Sequence, residues 1–252
     1  LRPETKVLYL EIPTNPTLRV FDPAPVVEAA RVSGAAFVVD ATFASPVNLR
    51  MAEHGADLVI HSATKYLGGH SDLLAGVVAG SGELVESVRR LMVRYGPSAD
   101  ANSAWLLDRS LRTLELRVER QNRNALELAR WLRTRDEVRK VIFPGLPDHP
   151  DHGRASRLLD GFGGMLSMIL EGGGGAADGF MDALETALVA PSLGGVETLI
   201  SQPRYTSHMD LTPKEREVMG IPDGFVRVSV GVENLADLKR DFARGLEAAR
   251  GP

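Results

Sequence analysis

Cysteine is missing from all 252 residues. That absence excludes disulfides, thiolate catalysis within this chain and cysteine-based metal sites, and it fits a cytoplasmic protein. Long apolar runs are missing too, and none approaches the roughly 20 residues that a membrane helix needs. The opening Leu1-Arg2-Pro3-Glu4-Thr5-Lys6 has no signal-peptide pattern and leads straight into a strand-like Val7-Leu8-Tyr9-Leu10-Glu11. There is no excess of positive charge. A net charge of -4 suggests neither nucleic acid nor an anionic membrane as a partner. Internal repeats and low-complexity tracts are absent as well. So is an initiator methionine, from which the natural start is expected to lie elsewhere.

What remains is an ordinary globular composition, 44% hydrophobic and 25% charged. In the first eighty residues short apolar runs alternate with helix-like stretches. Val7 to Ile12, Phe37-Val38-Val39, Leu58-Val59-Ile60 and Ala75 to Ala79 read as strands, and Pro25 to Val32 as a helix. Near-continuous Val/Ile/Leu runs separated by helix-length segments predict an α/β fold, with a mostly parallel sheet covered on both faces. Residues 83–95 read as a helix, and 101–135 as one long helix. Its stripe is Leu111, Leu114, Val118, Gln121, Ala125, Leu128 and Leu132, with Gln121 as a polar gap. The arginines between them (Arg109, Arg112, Arg117, Arg120, Arg123) read as a solvated face laced with pairs such as Glu119–Arg123. Composition changes at Phe143-Pro144-Gly145-Leu146-Pro147. Strands are expected at 164–170 and 225–230, helices near 176–187 and 235–249, and a flexible turn at Gly172 to Gly175. The chain thus divides into a larger domain, 1–135, and a smaller α+β domain, 136–252.

Three polar residues fall at three strand ends: Asn15 after the first strand, Asp40 closing the second, and Lys65 after the third within Ser62-Ala63-Thr64-Lys65. Open α/β sheets bind ligands beyond the carboxyl ends of their strands. A lysine and an aspartate there suit pyridoxal 5'-phosphate, with the lysine attached covalently and the carboxylate facing the pyridinium nitrogen. The Ser62 and Thr64 hydroxyls and nearby N–H groups suit its phosphate. Taken singly, each of these is as well read as a surface lysine or a turn aspartate. The histidines fall in different local elements and predict no metal site.

The ordered stretches decide between those readings. Glu11-Ile12-Pro13-Thr14-Asn15-Pro16-Thr17, Val39-Asp40-Ala41-Thr42-Phe43, His61 to Asp72, Pro144-Gly145-Leu146-Pro147, Gly161-Phe162-Gly163-Gly164-Met165, Ser192-Leu193-Gly194-Gly195-Val196-Glu197 and Val226 to Gly231 follow one another along the chain. Together, from Leu8 to Leu246, they resemble the Cys/Met-metabolism family of pyridoxal-phosphate enzymes, which includes cystathionine γ-synthases, cystathionine lyases and methionine γ-lyases. The resemblance implies the aspartate-aminotransferase-like fold of type I. It implies that Lys65 is the attachment lysine, that Asp40 pairs with the ring nitrogen, that Asn15 meets the phenolic oxygen and that Thr42 lies close to the ring. Ser62 and Thr64 are implied to bind phosphate, Arg227 to clamp the substrate α-carboxylate, Ser192 to line the site, and Pro191 to face the substrate's distal end.

The implied substrate is a sulfur amino acid, and the implied assembly a homotetramer built as a dimer of dimers. The implied reaction is γ-elimination by a carbon–sulfur lyase, with γ-replacement on an O-activated homoserine as the alternative. An aminotransferase-type reaction and an inactive homologue serving as a binding module are the rivals from outside that chemistry. Two departures stand out. Ala41 replaces the asparagine that often follows the strand-end aspartate. The family's N-terminal third, implied source of a ring-stacking tyrosine, a glycine-rich phosphate loop and a Tyr/Arg pair reaching the neighbouring subunit, has no counterpart here, so this stretch is expected to be either part of a longer protein or a fragment that is inactive by itself.

Overall fold

A computed structural model describes residues 1–250. Among them, nine strands form two sheets. The first has the order β1 (Val7–Glu11), β2 (Ala36–Asp40), β3 (Leu58–Ser62), β4 (Gly76–Gly80); the second has the order β5 (Val138–Ile142), β6 (Met165–Leu170), β9 (Phe225–Ser229), β8 (Leu199–Ser201), β7 (Leu188–Val189). In the first sheet β1, β2 and β3 run parallel, with Glu11 beside Asp40 and Asp40 beside Ile60. Their carboxyl ends therefore lie side by side.

The fourth strand departs from expectation: β4 runs antiparallel to β3. A parallel return needs a crossover of a dozen or more residues, usually a helix. Here residues 63–75 form no helix but a run of turns, so the chain re-enters reversed. Coverage on both faces also holds only in part. Within β2 Phe37, Val38 and Val39 are buried, but Val7 and Tyr9 on β1 are more than half exposed.

The expected long helix is two helices, α4 (Ala101–Leu111) and α5 (Leu114–Leu132). Thr113 leaves helical geometry at φ -117°, ψ 6°. The stripe from Leu114 to Leu132 is buried as predicted, but Leu111 sits in α4 and is 44% exposed. Neither Gln121 nor all of the arginines behaves as the pattern suggests. Gln121 is fully buried, and Arg117 is 6% exposed; Arg112 and Arg123 do face solvent.

The α5 helix joins the two sheets. Ala125, Leu128, Ala129 and Leu132 pack with Leu166, Met168, Val226 and Val228 of the second sheet, while Leu114 and Val118 pack with Ala63, Tyr66 and Leu67 beyond the first. The same core also takes in α7 (Gly173–Asp182) and α9 (Leu235–Ala249), whose Phe180, Leu238 and Phe242 join the α5 stripe on that sheet face. A side chain at Gly245 would come within 2.7 Å of the Phe180 ring, so glycine there permits close approach of these helices. Thus Gly173 to Gly175 open a helix instead of forming a flexible turn, and the helix stops at Asp182, short of 187. It stops because Asp241 accepts the N–H groups of Glu185, Thr186 and Ala187 at 2.8–3.1 Å, holding that segment as a turn.

A second buried carboxylate, Asp151, fixes the loop after β1. It precedes α6 (His152–Leu158) and accepts from Arg19 Nε (2.6 Å), Arg154 Nη1 (2.9 Å) and the Val20 N–H (3.1 Å). Burial alone would raise its pKa, but the Arg19 and Val20 contacts outweigh that and hold it below the ordinary carboxylate range. Its folded-state pKa being depressed, its contribution is present above the unfolded value and is lost as pH falls through the folded one. Asp151→Asn is expected to lower the unfolding free energy by about 2–4 kcal/mol near neutrality. In urea titrations the gap from wild type should close below about pH 4. A gap that widens on acidification would contradict this role.

Candidate active site

The parallel strands deliver their terminal residues to one crevice. Side chains alternate along a strand, so Tyr9 and Glu11 of β1 share a face with Asp40 of β2. Tyr9 Oη donates to Asp40 Oδ2 (3.1 Å), and the Thr42 N–H donates to Asp40 Oδ1 (2.9 Å). Partial desolvation of its hydroxyl, followed by the Asp40 charge, pushes the Tyr9 phenol up to about 12 although the ring is largely exposed. Glu11 is raised by burial and by Asp40, against the opposing hydrogen bond from the Asn15 N–H. Thr42 Oγ1 accepts the Ser62 N–H (2.9 Å), which ties the end of β2 to the end of β3. His61 is buried and its pKa depressed by that burial, against a smaller opposing effect of Asp40. Sequence reasoning missed Tyr9 and Glu11 as neighbours of Asp40. Their i, i+2 spacing on β1 was the available signal.

Beyond β3 the chain turns tightly. The Lys65 N–H donates to Ser62 O (3.1 Å), and the Gly69 N–H to Lys65 O (2.7 Å). Thr64 Oγ1 accepts the Ala75 N–H (3.1 Å) and makes a looser contact with Ala75 O (3.4 Å). Lys65 Nζ points across the sequence to Ser192 Oγ at 2.9 Å. Ser192 lies on a strap, residues 190–197, between β7 and β8, and the strap is pinned by Val196 N–H to Gly69 O (2.9 Å) and Gly194 N–H to Ser229 Oγ (2.7 Å). Gly194 has φ +77°, and a side chain there would meet the Tyr66 nitrogen at 2.7 Å. Only glycine fits where strap and lysine turn touch.

From the middle of β9, Arg227 reaches the same place. Its Nη1 donates to Asn15 Oδ1 (3.2 Å), and its Nη2 donates to the carbonyls of Pro191 and Ser192. Asn15 thus holds the arginine, a contact outside its expected role. The structure brings Lys65, Ser192, Pro191, Arg227 and Asn15 into one connected set. It brings Asp40, Thr42 and Ser62 into a second set at the neighbouring strand ends, with Thr64 one residue from the lysine. Lys65 and Arg227 hydrogen-bond to neutral acceptors. The Lys65 pKa is depressed by burial and then by the Arg227 charge, and that of Arg227 by burial. Two cations share the site while the strand-end carboxylate Asp40 is engaged by Tyr9 and Thr42.

Residues 1–247 match the Cys/Met metabolism PLP-dependent enzyme family. The chain belongs to that family. It is 42% identical over 245 residues to cystathionine gamma-synthase 1 of Arabidopsis thaliana, covering 97% of this chain and 44% of that one. Over 251 residues it is 42% identical to the L-methionine gamma-lyase of Pseudomonas putida, covering 99% of this chain and 63% of the other. A crystal structure of cystathionine gamma synthase from Xanthomonas oryzae pv. oryzae, in complex with aminoacrylate and cysteine, superposes with a TM-score of 0.93 at 42% identity, covering 97% of this chain and 64% of that one. The chain therefore spans about half to two thirds of the length of these relatives. Relatives at 40–42% identity carry the names of γ-synthases, β-lyases and γ-lyases alike. The fold is that of the PLP-dependent synthases and lyases, with mixed sheets and flanking helices.

The donor set fits pyridoxal phosphate. It contains a half-buried primary amine, a carboxylate at the neighbouring strand end, hydroxyls beside the amine, and a guanidinium lacking an acid partner. Because burial and Arg227 both disfavour the Lys65 ammonium, cofactor-free protein should acylate Lys65 at lower pH than Lys6, Lys140, Lys214 or Lys239. Arg227→Met should move the Lys65 midpoint upward. Mass-spectrometric mapping of acetic-anhydride labelling against pH measures both, and a Lys65 midpoint above those of the other four would refute the depressed pKa.

Proposed function

We propose that the protein is a carbon–sulfur lyase that cleaves a sulfur amino acid by γ-elimination, with pyridoxal 5'-phosphate attached at Lys65. The observation that carries this reading is the pairing of Lys65 and Arg227, two cations bridged by neutral acceptors of one strap. A site of that kind is completed by an anionic ligand. The cofactor, when bound, supplies an electron sink for the electron pair left at the substrate Cα.

The remaining work falls to side chains. Asp40, oriented by Tyr9 and by the Thr42 N–H, would hold a proton on the ring nitrogen. Thr42 would lie against the ring, and Asn15 beside its phenolic oxygen. Ser62 and Thr64 would donate to the phosphate, Thr64 by exchanging its long contact with Ala75 O. Arg227, whose Nη1 and Nη2 donate to Asn15 Oδ1 and to the strap carbonyls, would exchange some of these for the substrate α-carboxylate, which its planar fork can take up in bidentate fashion. Lys65 Nζ, with its depressed pKa, would remove the protons at Cα and Cβ and return one to the product. Ser192 Oγ accepts from that amine and would steady it between transfers.

Identity to both synthases and lyases leaves the choice of reaction to the site. The carbonyl of Pro191 is taken by Arg227, and its side chain has no polar atom to engage the far amino group of cystathionine. That favours a small methionine- or homoserine-type substrate over cystathionine. It suits γ-replacement on an O-activated homoserine as well, which stands as the second reading and matches the plant synthase. An inactive binding module is disfavoured because Lys65, Asp40 and Arg227 are all retained and converge. The same reading includes a homotetramer formed as a dimer of dimers, a cytoplasmic location, and a division near residue 135 between a cofactor domain and a smaller domain.

Offered methionine, O-activated homoserine with cysteine, and cystathionine in turn, the enzyme is expected to release α-ketobutyrate from the first. Cystathionine formation from the second would establish replacement instead, and pyruvate from cystathionine as the main product would exclude reaction at Cγ. Arg227→Lys should raise KM by about tenfold or more, the loss of a charged hydrogen bond worth roughly 1.5–3 kcal/mol. Unchanged KM with loss of bound cofactor would assign Arg227 a different role.

A further inference from the structure

Helix α5 presents a second stripe beside its apolar one. Arg117, Gln121 and Asn124 recur at i, i+4 and i+7, so they share a face. All three are buried, and all three donate to main-chain carbonyls of separate loops. Arg117 Nη1 donates to Tyr66 O (2.8 Å) and Nη2 to Ser110 O (2.9 Å), with a longer contact to Leu67 O (3.4 Å); its Nε donates to Thr113 Oγ1 (3.1 Å). Gln121 Nε2 donates to Gly195 O (2.7 Å), on the strap three residues past Ser192. Asn124 Nδ2 donates to Gly231 O and Glu233 O (3.0 Å each), just beyond β9 and its Arg227.

We propose that this stripe registers the three loops against one another and that Arg117 is its decisive member, a positioning residue that sets Lys65. The inference rests on the reading of Lys65 as the attachment lysine.

The turn carrying Lys65 is wound around the guanidinium. Gly69 has φ +67°, and a side chain there would stand 1.9 Å from Arg117 Nη1. The Gly69 N–H returns to Lys65 O, while Tyr66 O, the next carbonyl along, is taken by Arg117. With the Lys65 N–H donating to Ser62 O on the amino side, Lys65 is held on both sides of its Cα. Arg117 has no carboxylate in its shell, and burial depresses its pKa. A buried cation satisfied only by neutral oxygens is a poor device for stability, since desolvation offsets much of its attraction. It is a good device for geometry, because a planar fork fixes several acceptors at set angles. The break between α4 and α5 serves the same end, for Ser110 O and Thr113 Oγ1, which lie at it, complete the shell.

The test compares Arg117→Lys and Arg117→Met in the holoenzyme with Arg112→Met, which removes an exposed arginine. In Arg117→Met, kcat per cofactor-loaded site should fall by about ten- to a hundredfold, the cost of misplacing a reacting group. KM should stay within about twofold because the Arg227 loops keep their own anchors. The pH midpoint of the cofactor's visible absorbance should shift. Arg117→Lys should recover part of both, and Arg112→Met should change neither. Should Arg117→Met fail to fold, Arg117→Lys carries the same comparison against wild type. Lowered melting temperature and cofactor content with kcat per loaded site and midpoint unchanged would mean a merely structural arginine and overturn the inference. Borohydride reduction and peptide mapping separate the two layers. An adduct on another lysine overturns the attachment reading and this inference together, whereas an adduct on Lys65 with wild-type kinetics overturns only the positioning role.

Discussion

Two like charges in one crevice are the constraint from which the rest of the architecture follows. Lys65 comes from the turn after β3 and Arg227 from β9, in different sheets; burial disfavours the charged form of both, and the Arg227 charge further disfavours that of Lys65. Solvent does not relieve Arg227, which is 5% exposed. The fold therefore surrounds the pair with neutral oxygens: Ser192 Oγ for the lysine, Asn15 Oδ1 and two strap carbonyls for the arginine. Buried polar groups are tolerated when each finds a partner. The strap, its glycine at 194 and the Asn15 loop are the means of supplying those partners.

That requirement explains why the second half of the chain cannot be an independent appendage. Ser192, Pro191 and Arg227 all come from it, while the lysine and the strand-end carboxylate come from the first. Helix α5 is long enough to bury its carboxyl half in the second sheet and its amino half over the lysine turn. A rigid element spanning both is how residues more than a hundred positions apart keep hydrogen-bonding distance. The Asp151 contacts do similar work from the other side, holding Arg19 and Val20, just past Asn15, to the segment that follows β5.

Much of this was legible in the residues. Strand ends at Asp40 and before Lys65, the buried stripe of α5 and the bounds of α9 follow from period and burial, because those patterns report directly on which side chains leave water. Asp40, Lys65, Asn15 and Arg227 were singled out through ordered motifs; Asn15 hydrogen-bonds Arg227, Lys65 meets the same strap through Ser192, and Asp40 stands with Thr42 at the neighbouring strand ends. What escaped has a common physical cause. The direction of β4, the break at Thr113, the helix opening at Gly173 and the end of α7 at Asp182 are not encoded by local period, and the last is decided by a contact distant in sequence. Asp241 ends α7 from a position on α9.

The misreading of α5 is the most instructive of these. A polar residue interrupting an apolar stripe reads as a flaw, and arginines between glutamates read as a solvated face. Both inferences assume that a helix buries its apolar side chains against other side chains. Here the helix packs against loops whose exposed carbonyls need donors, since irregular backbone cannot satisfy its own oxygens. On such a surface Gln121, Asn124 and Arg117 are the complementary groups, and leucine in their places would leave Gly195 O, Gly231 O and Tyr66 O without partners. A long, otherwise apolar helix that carries amide or guanidinium side chains at i, i+4 and i+7 is therefore better read as facing backbone than as facing water.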